Sequence, residues 1–120
     1  MGLEQFSNTV KLEFIPLKAR ERRLLEEVVF TDRDGIKWVA PAGSIIDGAS
    51  IPRFFWRIIG SPFVGLYVRA SVIHDVYCKT KSKPSKAVHK MFREAMLADG
   101  VSKIKAKSMF KTVWYFGPEF

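Results

Sequence analysis

Residues 71–100, SVIHDVYCKTKSKPSKAVHKMFREAMLADG, decide the fold, since they read as two helices joined by the short connection TKSKP. Leu66, Ala70, Ile73 and Tyr77 recur at spacings of three and four, which predicts the first helix over about 64–79. Ser85 is placed to cap the second, whose apolar face is Val88, Met91, Phe92, Ala95 and Met96 and whose end is marked by Gly100. A connection this short makes the two helices antiparallel neighbours.

Downstream, VSKIKAKSMFKTVWYFG supplies a third helix, with Ser102 as cap, Ile104, Met109, Val113 and Phe116 as core candidates, and Gly117 and Pro118 as the stop. Upstream, the pattern changes period. TVKLEFIPL alternates Val10, Leu12 and Phe14 against Thr9, Lys11 and Glu13, as a half-buried strand over 9–15 does. Two further apolar runs flank DRDG at Asp32 to Gly35, which predicts a hairpin. In SIPRFFWRIIGSP, Pro52 suits the first turn of a short helix over 51–60, with Ser50 as its cap and Gly60 and Pro62 as its stop. The expected class is α+β, a small N-terminal antiparallel sheet followed by a three-helix part. Residues 1–120 read as one domain, mainly β over 1–50 and helical over 63–117.

Composition narrows the setting. The chain has 120 residues, 48% of them hydrophobic, enough for one core. Its single cysteine, Cys78, cannot form an internal disulfide, so the fold does not require an oxidising compartment. The opening MGLEQFSNTV has no basic n-region or apolar h-region, and the longest apolar window is interrupted by Arg69; neither a targeting segment nor a spanning helix is expected. Net charge is +8 and lopsided. Residues 1–78 carry ten Lys and Arg against nine acids, whereas residues 79–111 carry ten against Glu94 and Asp99. The lysines at 79, 81, 83, 86, 90, 103, 105, 107 and 111 form either a solvated helical surface or a field for anionic surfaces, phosphates or an acidic partner.

The chemistry-bearing residues gather in the opening stretch. His74 and Cys78 stand four apart on one helical face, with Asp75 about 100° away. The helix pair brings His89 opposite His74 or Cys78. Three readings stay open. His74, Cys78 and His89 make a nitrogen and sulfur donor set for a divalent metal, zinc before calcium, with Asp47 or Asp75 completing it. His74 alone is a candidate general base toward water, oriented by a carboxylate; Cys78 as nucleophile, with either histidine as base, is the weaker form because a lone helical cysteine is usually a small packing residue. The third reading is a hydrogen-bonded contact between helices. Ser50 lacks the surroundings of an activated serine and is read as a cap or turn residue.

The ordered set PAGSIIDGASIPRFFW, YVRASVIHDVYC, SKAVHKMFREAMLADGV and MFKTVWYFG resembles the DUF1353 family over roughly residues 35–117. The resemblance implies a phage or prophage setting, with synthesis in the host cytoplasm and incorporation in the virion as one outcome. Two positions depart from the usual pattern, Cys78 for tyrosine and His89 for aspartate. The helix pair also looks like that of phospholipase A2 enzymes, which would make His74 the activator of water and Asp75 a calcium ligand, with carbonyls from Asp47 to Ala49. The lysine-rich face would then meet anionic lipid. The disulfides and the glycine-rich calcium loop of that family are absent from the sequence.

Three functions follow. One is a small hydrolase of cell-envelope material, with His74, Asp75 and Asp47 at its centre. Another is a tail or tail-tip component of a virion, with Phe54, Phe55 and Trp56 as an interface. The last is a cytosolic accessory protein that binds an acidic partner or nucleic acid.

Overall fold

In the computed structural model, residues 5–7, 9–48, 50–52 and 65–120 are described. Of the expected short helix over 51–60 only residues 51 and 52 are described, neither of them helical; the rest, its stop signals and the Phe54 to Trp56 patch lie outside the described residues.

The helix that carries His74 has no solvent face through its middle. A 3-10 turn, Gly65–Tyr67, leads into α1, Val68–Thr80, where nine consecutive residues from Ala70 to Cys78 are buried. Burial on every side requires walls on opposite faces. Strands form one wall and the second helix, α2, Ser85–Ala98, forms the other. Helix α1 ends at Lys81, which takes the left-handed conformation with φ 55° and donates its N–H to the Tyr77 carbonyl at 2.8 Å.

Val88, Met91, Phe92, Ala95 and Met96 of α2 are buried, the stripe that the spacing predicts. Ser85 is not its cap: Pro84 holds that position and Ser85 is the first helical residue. The Ser85 N–H donates to the Phe120 backbone oxygen at 3.0 Å, and its Oγ accepts the Phe120 N–H at 3.1 Å. The C-terminal residues are thereby strapped to the start of α2. Gly100, at φ 92°, lets the chain leave α2 while Val101 N–H bonds back to the Met96 carbonyl at 3.0 Å.

Helix α3, Lys103–Phe116, is capped by Ser102 Oγ on the Lys105 N–H and buries Ala106, Met109, Thr112 and Val113 against α2. Two expected core residues are outside. Ile104, 80% exposed, lies about 200° around the helix from Ala106, on the far side from α2. Phe116 is exposed at the last residue of the helix.

The expected single sheet is two three-stranded antiparallel sheets. One has the order β1 (Gln5–Phe6), β4 (Val28–Thr31), β5 (Lys37–Ala40); the other has β2 (Leu12–Ile15), β3 (Lys18–Leu24), β6 (Ile45–Ile46). The β4–β5 hairpin is organised by buried Asp32. Its carboxylate accepts the Asp34 and Ile36 N–H groups and the Trp38 indole N–H, all at 2.9 Å. Trp38 meets Tyr77 edge-on at 4.9 Å, and the Tyr77 hydroxyl accepts the Val39 N–H at 2.8 Å, which fastens α1 to β5. Phe14 is not core: it stands opposite Arg22 in the β2–β3 register, exposed, with the guanidinium 4.2 Å over its ring.

Candidate functional site

Short residues between β6 and α1 bring the polar groups together. Gly48, at φ 75°, turns the chain, and the Ile51 N–H closes the turn on the Gly48 carbonyl at 3.1 Å. Asp75 anchors this turn from α1, accepting the Asp47 N–H at 3.1 Å and the Ser50 N–H at 3.4 Å. The neighbouring His74 takes the same turn by its side chain, with Nδ1 at 3.0 Å from Ser50 Oγ.

On its other side His74 Nε2 lies 2.9 Å from His89 Nδ1, and His89 Nε2 lies 3.0 Å from the Pro118 carbonyl. The carbonyl accepts only, so it fixes every proton upstream. His89 donates from Nε2; its Nδ1 therefore accepts from His74 Nε2; His74 Nδ1 accepts in turn from the Ser50 hydroxyl. The result is a one-way chain: Ser50 to His74 to His89 to Pro118. It is buried, with His74 at 0% exposure and Ser50 and His89 at 3% each.

Burial sets the protonation states. It holds His74 well below the ordinary imidazole value, and His89 pushes the same way. Burial also lowers His89, against the Pro118 bond. Both rings are neutral at neutral pH, as the chain requires. Asp75 is raised by burial, against the pull of the Lys79 ammonium. Burial and the Asp75 charge push the Cys78 thiol up to about 12, so it stays protonated.

The donor set that the sequence suggested for a metal is brought together as a hydrogen-bonded cluster. His74 Nε2 carries the proton it gives to His89, and Cys78 Sγ lies 3.8 Å from both ring nitrogens of His74 as a protonated thiol. Zinc bound there would have to displace these protons, since it takes a lone pair or a thiolate from each ligand. Among the described residues no group of three His, Cys, Asp or Glu side chains is arranged to hold a metal. The calcium reading meets a different obstacle. Lys79 Nζ sits 3.3 Å from Asp75 Oδ2, 3.4 Å from Asp47 Oδ1 and 2.9 Å from the Ile45 carbonyl, so an ammonium fills the place of the ion.

Asp75 and Asp47 thus act on the turn and on Lys79, not on the imidazole. Ser50 is the member that sequence reasoning missed. Its signal was its place in the Asp-Gly-Ala-Ser turn preceding the His-Asp helix, which no spacing rule connects to His74.

The family profile described as "Protein of unknown function (DUF1353)" matches residues 22–113, which include Ser50, His74 and His89. The chain belongs to the DUF1353 family. Among curated relatives it is 47% identical to the "Uncharacterized protein y4jT" of Sinorhizobium fredii over 97 residues, 81% of this chain and 29% of that protein. It is 37% identical to the "Uncharacterized protein y4iH" of the same organism over 115 residues, 96% of this chain and 48% of that protein. The chain therefore spans less than half the length of either. No solved structure matches it. Among the described residues no helix of this DUF1353 chain is long and apolar enough to cross a membrane.

Proposed function

We propose that this DUF1353 chain is a small hydrolase that uses His74 as its proton acceptor and acts on cell-envelope material in a phage or prophage setting. The observation that carries the reading is the fixed tautomer of His74. Its Nε2–H is committed to His89, which is itself committed to Pro118, so the lone pair on Nδ1 is aimed at a hydroxyl. A neutral imidazole with one nitrogen oriented and the other free to accept is what general-base chemistry uses. The exposed lysines of α2 and α3 support approach to an anionic envelope. The test is turnover by the full chain of peptidoglycan sacculi, anionic phospholipid vesicles and a small activated ester. Wild type should release product, and His74→Gln should lose at least about 100-fold in rate. No turnover on any of the three would end the reading.

The complete burial of His74 favours a second reading, a non-catalytic virion component in which the same chain braces three segments. It predicts the protein in purified particles and no hydrolysis by wild type.

A further inference from the structure

We propose that Ser50 is the nucleophile of this site, attacking small carboxylic esters to form an acyl-serine, with His74 as its base and His89 as the positioning residue. This rests on the reading of His74 as proton acceptor. It adds what the proton is taken from.

The geometry carries it in three steps. Ser50 Oγ lies 3.0 Å from the acceptor nitrogen of His74, within the reach a nucleophile and its base require. The second ring nitrogen is held by a third side chain at 2.9 Å, the base-to-orienter contact of a serine relay. The polarity is dictated by the terminal Pro118 carbonyl, so the hydroxyl donates to the imidazole and not the reverse. The backbone of Ser50 is independently fixed: its N–H donates to Asp75, next to His74 on α1. Serine and base are thus positioned by adjacent residues of one buried helix.

In the reaction, Ser50 Oγ bonds to the ester carbonyl carbon as its proton passes to His74 Nδ1. Collapse of the tetrahedral adduct breaks the bond to the alcohol oxygen, and the Nδ1 proton leaves with that alcohol. Water then attacks the acyl-serine, gives its proton to Nδ1, and the acid departs as Ser50 recovers a proton. Nothing is oxidised or reduced. An ester is the matching class because His89 is neutral and lends no negative charge to the imidazolium; a base so weakly supported suits a good leaving group better than an amine. Ser50 and its neighbour Ile51 are buried, so attack requires the turn to open, and a small acyl group asks for the least opening.

The test exposes the full chain to a fluorophosphonate, maps the adduct by mass spectrometry, and follows p-nitrophenyl acetate hydrolysis in parallel. One adduct on Ser50 in the native protein, absent after unfolding in urea, with ester turnover reduced at least about 100-fold in Ser50→Ala, is the expected result. The urea control reads the native environment of Ser50 even where the variant folds poorly. Turnover that persists in Ser50→Ala but is lost in His74→Gln overturns the nucleophile and leaves His74 acting on water. Neither adduct nor turnover overturns both.

Discussion

His74 donates from Nε2 to Nδ1 of His89 across 2.9 Å, a direct bond between two neutral imidazoles on adjacent antiparallel helices. Each ring is confined to its Nε2–H tautomer by the Pro118 carbonyl at the end of the chain. Long-range proton-nitrogen NMR should find both histidines with Nε2 protonated and Nδ1 bare at pH 7. A His89 signal with protonated Nδ1 would reverse the chain and remove the acceptor that faces Ser50.

The two rings also make stability depend on pH. Both are held below their ordinary values by burial, so the unfolded chain binds protons near pH 6.5 that the folded chain refuses. Their contribution is fully present above that value and is lost as pH falls through it. The slope reaches at most about 1.4 kcal/mol per pH unit for each histidine. Asp75, raised by burial, acts with the opposite sign. Urea unfolding at pH 7.5 and pH 5.5, values chosen to bracket about 6.5, should show the protein less stable at the lower pH. Equal midpoints would mean that the histidines are hydrated.

The helices were legible because their cues are local. Gly100, Ser102 and the Val88 to Met96 stripe mark boundaries and faces within a few residues of sequence. The two sheets were less so: β3 has the sequence KARERRL and pairs across to β6 some twenty residues on, a partnership set by tertiary contact rather than alternation. Ile104 failed for a related reason, since apolar spacing cannot say which side of α3 has a neighbour. At the site, helix spacing placed His89 opposite His74 or Cys78, and the bond is to His74. The Ser50 contact did not, because it depends on the path of the turn at Gly48 and on the Asp75 carboxylate that holds it.

Ser71 offers a test of packing around α1. Its Oγ is buried with no hydrogen-bond partner among the described residues. A buried hydroxyl without a partner costs about 1 to 3 kcal/mol, and alanine is the better helix former. Ser71→Ala should therefore raise stability by about 1 kcal/mol in urea titration. A fall of that size would require a partner for the hydroxyl.

Tyr77 joins α1 to the β4–β5 hairpin. Phenylalanine at 77 keeps the ring against Trp38 but leaves the Val39 N–H without its acceptor. Tyr77→Phe should lose about 1 to 2 kcal/mol, and hydrogen exchange at the Val39 amide should accelerate selectively. Unchanged exchange there would mean that another group takes the amide.

Asp75 separates the two duties of the His-Asp pair. Alanine leaves the amides of Asp47 and Ser50 without an acceptor, whereas asparagine keeps a carbonyl oxygen for one of them, loses the acceptor for the other, and loses the charge toward Lys79. Lys79 is partly exposed, so the ion pair itself contributes little, and most of the cost comes from the amides. The expected order of stability is wild type, then Asp75→Asn, then Asp75→Ala, the last about 2 to 3 kcal/mol down. If the turn is what aims Ser50, fluorophosphonate labelling of folded Asp75→Ala should slow while both histidines keep their tautomers. Labelling at the wild-type rate would show that His74 alone holds the serine in place.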